Sequence, residues 1–196
     1  MVVAVLLGSV RPERMGERVA KWVKAELTKA GHEVVVVDPA KVELPLLANM
    51  WKEVKDSDSA EDSALKAKLK PLADLYARVD GFCIVSAEYN HTAPPALINL
   101  IDYFLQDYFF KPSAIVCYSA TPFGGVRGAM GLRSLLAEVG MPTIPSLQPI
   151  PSVGTALSEA GVPLTQELAE KSGKFFKEFD WYMRAFKAER ALGVPY

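Results

Sequence analysis

Three runs without a charged side chain most constrain how this chain can fold. They are MVVAVLL at Met1–Leu7, FCIVS at Phe82–Ser86 and SAIVCYS at Ser113–Ser119, and each empties into a loop of glycine, serine or polar residues. A strand with one wet face alternates apolar and polar residues. These runs do not alternate, so both of their faces must be covered. That is the condition of a parallel sheet with helices on either side. EVVVVD at Glu33–Asp38 reads as a further strand, and Pro142–Ile144 as a short fifth one.

Helical spacing fills the intervals. Val19, Trp22, Val23, Leu27 and Ala30 share one face and Gly31 stops that helix. Leu65, Leu69, Leu72, Leu75, Tyr76 and Val79 mark a second helix, with a kink expected at Pro71. Met130–Val139 is a third, ended by Gly140. Thr165–Arg190 closes the chain as a helix whose core stripe is Phe175, Phe176, Phe179, Tyr182, Met183 and Phe186. Pro39–Ser63 has no clear period and is strongly charged from Lys52, the pattern of a mobile surface loop. Five alternations of strand and helix, with no repeat and no shift in composition, predict one α/β domain over residues 1–196. Its core is a doubly wound five-stranded parallel sheet with helices on both faces.

Charge and cysteine usage narrow the function. Lysine plus arginine is 22 and aspartate plus glutamate 23, so no net field attracts nucleic acid or an anionic membrane. No run is long enough to span a bilayer, and the Val2–Leu7 run lacks the flanks of a signal peptide. A cytoplasmic protein is the expectation. Cys83 and Cys117 sit inside apolar strands and read as buried hydrophobes. His32 and His91 have no Cys or His neighbour at ligand spacing, so no zinc site is visible.

The candidate site is the set of loops that leave the uncharged strands. After the first come Gly8, Ser9 and Arg11, then a helix. Amides at a helix start, with its dipole, favour a phosphate. The Gly-Lys-Ser/Thr of a nucleoside triphosphatase is missing, since the loop ends Met15-Gly16-Glu17. The Gly-x-Gly-x-x-Gly of a dinucleotide fold is missing too. Ser9 and Arg11 suit a mononucleotide phosphate; Arg14 and Arg18 are either further phosphate ligands or solvated residues of the helix start. Asp38 reads as a cap of its strand end rather than a ribose ligand.

The second loop, Glu88-Tyr89-Asn90-His91-Thr92, offers an amide and an aromatic face to a flat heterocycle, with Thr92 expected to cap the next helix. The third, Ser119 to Gly125, carries paired glycines that let backbone approach a ligand. Arg127 and Arg133 face either a substrate phosphate or solvent. Pro94–Phe104 forms a helix whose Pro95, Ala96, Leu97, Asn99, Leu100, Tyr103 and Phe104 exceed what one sheet face can cover. That surplus predicts a subunit contact.

Together, GSVRPERMG, SAEYNHTAPPALINLIDYF and YSATPFGGVRGAMGLRSLL resemble the three flavin-contacting segments of the NADPH-dependent FMN reductase family. The similarity runs from Val2 to about Val153 and departs at Ala87, where the family usually has proline. The resemblance implies a flavodoxin-like fold, bound FMN, reduction by NADPH or NADH, and a homodimer or homotetramer. It implies that Ser9, Arg11, Met15 and Gly16 hold the FMN phosphate, that Glu88, Tyr89 and Asn90 contact the ring, and that Ser119, Gly124 and Gly125 flank it. The implied reaction passes hydride from NAD(P)H through FMN to a quinone, a flavin or a similar small acceptor. The charged stretch Lys52–Asp62 and the segment Pro149–Gly154 are expected to shape acceptor entry. The competing readings are a flavodoxin-type electron carrier and a flavin-binding protein without steady turnover.

Overall fold

A computed structural model of the chain describes residues 1–196. In chain order its elements are β1 (Val2–Leu7), α1 (Gly16–Lys29), β2 (Glu33–Val37), α2 (Pro39–Val42), α3 (Trp51–Val54), α4 (Ala60–Arg78), β3 (Gly81–Ala87) and α5 (Pro95–Asp102). A 3₁₀ turn at Gln106–Tyr108 leads to β4 (Ser113–Tyr118), α6 (Val126–Glu138), β5 (Thr143–Ile150), α7 (Val153–Ala156), α8 (Gln166–Lys171) and α9 (Gly173–Arg190). The sheet order is β2-β1-β3-β4-β5 and every pairing is parallel. This is the flavodoxin-like order, in which winding reverses between β1 and β3 and opens a crevice at the carboxyl ends of the strands.

The uncharged runs are buried on both faces, as their composition requires. In β1, Val3, Val5 and Leu7 pack with α1 and α9, while Ala4 and Leu6 pack with α4, α5 and α6. β3 and β4 divide the same way: Cys83, Val85, Ala114 and Val116 on one face, Phe82, Ile84, Ile115 and Cys117 on the other. Asp80, just before β3, ties the far end of the sheet to α9. It accepts from the Val2 amide (3.0 Å), Lys187 Nζ (3.0 Å) and Arg190 Nη2 (3.3 Å).

Several boundaries differ from the sequence reading. The 39–63 stretch is not structureless: it contains α2, α3 and the start of α4, where Ser59 accepts from the Glu61 amide. α4 runs unbroken through Pro71. β5 is eight residues rather than three, despite Pro145 and Pro149. Proline is tolerated because β5 is an edge strand with a register shift opposite Ser113 and Ile115. Arg133 serves that irregular strand, donating to the carbonyls of Ile144 (3.1 Å) and Pro145 (2.7 Å). The closing helix divides at Ser172.

The helix after the second loop needs the larger correction. α5 has eight residues, Pro94 holds its N-cap position, and Thr92 does not cap it. Most of its apolar surplus is covered by the chain itself, while Pro95 stays exposed and Ala96 half-buried. Leu97, Leu100, Tyr103 and Phe104 are fully buried. The segment 45–51 lies over them. Asn99 Nδ2 and the Tyr103 hydroxyl both donate to the Pro45 carbonyl (2.7 and 3.0 Å), Asn99 Oδ1 accepts from the Leu47 amide (2.9 Å), and the Trp51 amide donates to the Tyr103 carbonyl (2.8 Å). No helix is long and apolar enough to cross a membrane.

Candidate functional site

The loops that follow β1, β3 and β4 meet at the carboxyl end of the sheet. The first loop, residues 8–15, is braced by Arg14. Its guanidinium donates to the Ser9 carbonyl (2.8 Å), to Asp38 (2.5 Å) and to Glu17 (2.9 Å). Burial works against this charge, but hydrogen bonds and charge from Glu17 and Asp38 outweigh it and raise the Arg14 pKa. Arg18 fastens α1 to the far side of the crevice by donating to the Leu157 carbonyl (2.9 Å). Both guanidinium groups are engaged within the chain rather than simply solvated, although Arg14 also lines the cavity between the loops. Asp38 caps not its strand end but the start of α2, through the Ala40 amide (3.1 Å).

What remains unengaged in this loop is informative. Arg11 is exposed and its side chain has no partner in the chain. The amides of Ser9, Val10, Glu13, Arg14 and Met15 have no acceptor. They gather at the N-terminus of α1, where the helix dipole adds to them.

The second loop is a two-residue hairpin. The Tyr89 and Thr92 amides donate to each other's carbonyl, both at 2.9 Å. Asn90 and His91 at its tip have φ of 49° and 64°, the backbone of a type I′ turn. Asparagine accepts that conformation more easily than most residues. The Tyr89 hydroxyl and Ser9 Oγ are hydrogen-bonded at 2.6 Å, which joins the first loop to the second.

Glu88 joins the second loop to the third. Its carboxylate accepts from the amides of Arg127 and Gly128 (both 3.1 Å) at the N-terminus of α6. An acid at that end of a helix is favoured by its dipole. A Cβ on Gly128 would lie 2.9 Å from the Thr92 carbonyl oxygen, so glycine is what lets α6 approach the hairpin.

A cavity of about 610 Å³ lies between the loops. Of the ten residues named from the sequence, Ser9, Arg11, Met15, Glu88, Tyr89, Asn90 and Ser119 line it. Gly16, Gly124 and Gly125 do not, and they act behind the wall. A Cβ on Gly16 would be 2.5 Å from the Tyr118 hydroxyl. Gly125 has φ of 80° and would press a Cβ within 2.9 Å of the Tyr118 backbone. Gly124 is confined by Pro149 and Pro151.

The sequence reading missed Tyr118 and did not single out Thr121 or Val153 within the segments it named; all three line the cavity. Only an aromatic residue at the exit of a buried strand signalled the first of these. Burial raises the Tyr118 pKa, keeping its phenol protonated. Burial likewise pushes Cys117 up to about 12, so it is not a reactive thiolate. Of the two segments expected to shape entry, residues 52–62 contribute nothing to the lining, and 149–154 contribute Val153.

The family model for NADPH-dependent FMN reductase matches residues 1–154. The chain belongs to that family. Curated relatives agree. A quinone reductase of Escherichia coli is 30% identical over 138 residues, covering 68% of each chain. An NAD(P)H-dependent FMN reductase of Saccharomyces cerevisiae is 26% identical over 174 residues, covering 86% of this chain and 87% of that one. Among solved structures, the flavoenzyme NAD(P)H:(acceptor) oxidoreductase FerB from Paracoccus denitrificans aligns with a TM-score of 0.76. It is 20% identical and covers 94% of this chain and 98% of its own, a likeness of fold.

The residues present fit the FMN of an FMN reductase. The phosphate of such a ligand needs donors, and here free amides and the unpartnered Arg11 converge on one loop. Its polar ring edge needs an amide-like partner, and Asn90 lies on the same lining. The cavity volume falls within the range of roughly 300–1,000 Å³ usual for small-ligand sites.

Proposed function

We propose that the cavity binds FMN, with its phosphate in the Ser9–Met15 loop and its ring beside the Glu88–His91 hairpin. The chain then carries electrons from NADPH or NADH to a small acceptor such as a quinone or a flavin. The observation that carries this reading is the meeting of free amides and Arg11 with the hairpin across one crevice at the sheet's switch point. Bound FMN supplies the redox chemistry, two-electron exchange between a nicotinamide and the acceptor.

The chain's own residues bind and orient. Arg11 and the loop amides, with the α1 dipole behind them, hold the phosphate. The Asn90 amide and the hairpin backbone meet the polar ring edge. Ser9 and Tyr89, bonded to each other, keep phosphate loop and ring loop in register. Glu88 is engaged with α6, so its carboxylate anchors the third loop rather than acting as an acid or base.

A homodimer or homotetramer, and a cytoplasmic location, belong to the same proposal. The buried residues of α5 no longer argue for self-association. Val10, Leu46 and Leu47 stay exposed near it and support a contact there instead. Free Cys83 and Cys117 suit a reducing compartment.

The test is an anaerobic visible spectrum of the purified protein, before and after NADPH and then after a quinone. A yellow protein that NADPH bleaches and quinone recolours is expected. Colour that NADPH leaves untouched would favour an electron carrier or a non-turnover flavin protein. A colourless chain that takes up no FMN would end the reading.

A further inference from the structure

Three arginines line the cavity: Arg11 is free, Arg14 is spent on Asp38 and Glu17, and Arg127 is held in a different way from either. Arg127 is the second residue of α6, and its Nε donates to Glu88 at 3.1 Å while Nη2 lies 3.0 Å from the same oxygen. The guanidinium also sits over the Phe123 ring, 4.5 Å from its centre. Glu88 does not depend on this contact, because two α6 amides already reach its other oxygen. Arg127 Nη1 has no acceptor in the chain, and the side chain is 41% exposed where it lines the cavity. One edge of the guanidinium plane is therefore fixed by a carboxylate and one face by a ring. The remaining edge is open at the mouth. A guanidinium so oriented can grip an anion through two parallel donors.

Resting on the reading of this cavity as the FMN site, we propose that Arg127 determines specificity for the pyridine nucleotide by taking one of its phosphates on that open edge. The first loop accounts for one anion, through Arg11 and the free amides. Arg127 is left for the anionic group of the second ligand. Of the ligands that visit in turn, the nicotinamide dinucleotide always carries phosphates and a quinone acceptor carries none. Arg127 therefore acts on the donor and not on a quinone acceptor. Two phosphate positions offer the same chemistry, the 2′-phosphate of NADPH and the pyrophosphate shared with NADH.

The experiment is calorimetric titration of the FMN-loaded wild type, Arg127→Ala and Arg127→Lys with NADP⁺ and with NAD⁺. Arg127→Ala is expected to weaken nucleotide binding roughly 10–100-fold, the loss of one charge-assisted contact. Arg127→Lys should fall between, since an ammonium keeps the charge but not the fork. A loss confined to NADP⁺ supports the proposal with contact at the 2′-phosphate; equal losses support it with contact at the pyrophosphate. In steady state, KM for the nucleotide should rise more than kcat falls. Unchanged affinity for both nucleotides in Arg127→Ala overturns the proposal. So does a KM for a neutral quinone that rises as far as that for NADPH. FMN content read from the visible spectrum separates this failure from failure of the site. A fully loaded variant with wild-type nucleotide affinity removes only the role of Arg127, whereas a wild type that takes up no FMN removes both readings.

Discussion

Arg11, Arg14 and Arg18 lie within eight residues of one another and look interchangeable as letters. The fold gives them different work. Arg11 points to solvent beside free amides, while Arg14 is nearly buried against a nearly buried Asp38. Their alanine variants should therefore fail in different experiments. Arg11→Ala should weaken FMN by about 1.5–3 kcal/mol, the value of a charge-assisted bond, with little change in denaturant midpoint. Arg14→Ala should lower stability by about 3 kcal/mol, because it leaves Asp38 buried without its partner. Fluorescence titration with FMN and urea unfolding of both variants would check the contrast. That the loop offers amides at a helix start was readable from Gly8, Ser9 and the helical pattern that follows. Which arginine stays free was not, because Asp38 follows another strand, β2, and comes within reach only in the folded chain.

At the scale of the element, α6 carries a matched pair of glycines. Gly125, at its N-cap, has φ of 80° and would drive a Cβ to 2.8 Å from the Tyr118 carbonyl oxygen. Gly131, inside the helix, would meet nothing within 4 Å. Gly125→Ala should cost about 2–4 kcal/mol, from strain at positive φ together with overpacking. Gly131→Ala should stabilise by about 0.5–1 kcal/mol through the entropy of the unfolded chain. Differential scanning calorimetry of the two would show opposite shifts from one substitution type. The hairpin teaches a similar lesson. Glu88-Tyr89-Asn90-His91 read as a polar turn, yet its I′ geometry and the seat of Glu88 on α6 depend on partners in two other segments.

For the whole molecule, the two helical layers are joined through the sheet, and α9 carries much of one layer. His32 lies under its Asp180, buried, with neither ring nitrogen hydrogen-bonded and Nε2 3.5 Å from the carboxylate. Burial lowers its pKa below 6.5, the chain N-terminus adds to this, and Asp180 and Asp80 oppose it. The folded state thus prefers the neutral ring, and the unfolded chain binds the proton first as pH falls. This part of the stability is present above about pH 6.5 and is lost as pH falls towards the folded value. His32→Gln should lose less stability than the wild type between about pH 7.5 and about pH 5.5, read by urea unfolding. A difference as large as the wild type's would assign the acid sensitivity to carboxylates instead.

The sequence by itself determined the architecture. Uncharged β-branched runs can be satisfied only by cover on both faces, and helical spacing between them supplies that cover. It also determined where a cavity can open, since the polar loops leave from the carboxyl ends of those runs. The tertiary structure alone decided how the surplus on α5 is covered, because the 45–51 segment that hides it shows no period of its own. It alone set the true length of β5, where an edge position excuses two prolines. And it alone decided how the loop residues brace one another around the cavity. That bracing depends on contacts between residues distant in sequence, such as Glu88 with Arg127, Ser9 with Tyr89 and Gly16 with Tyr118.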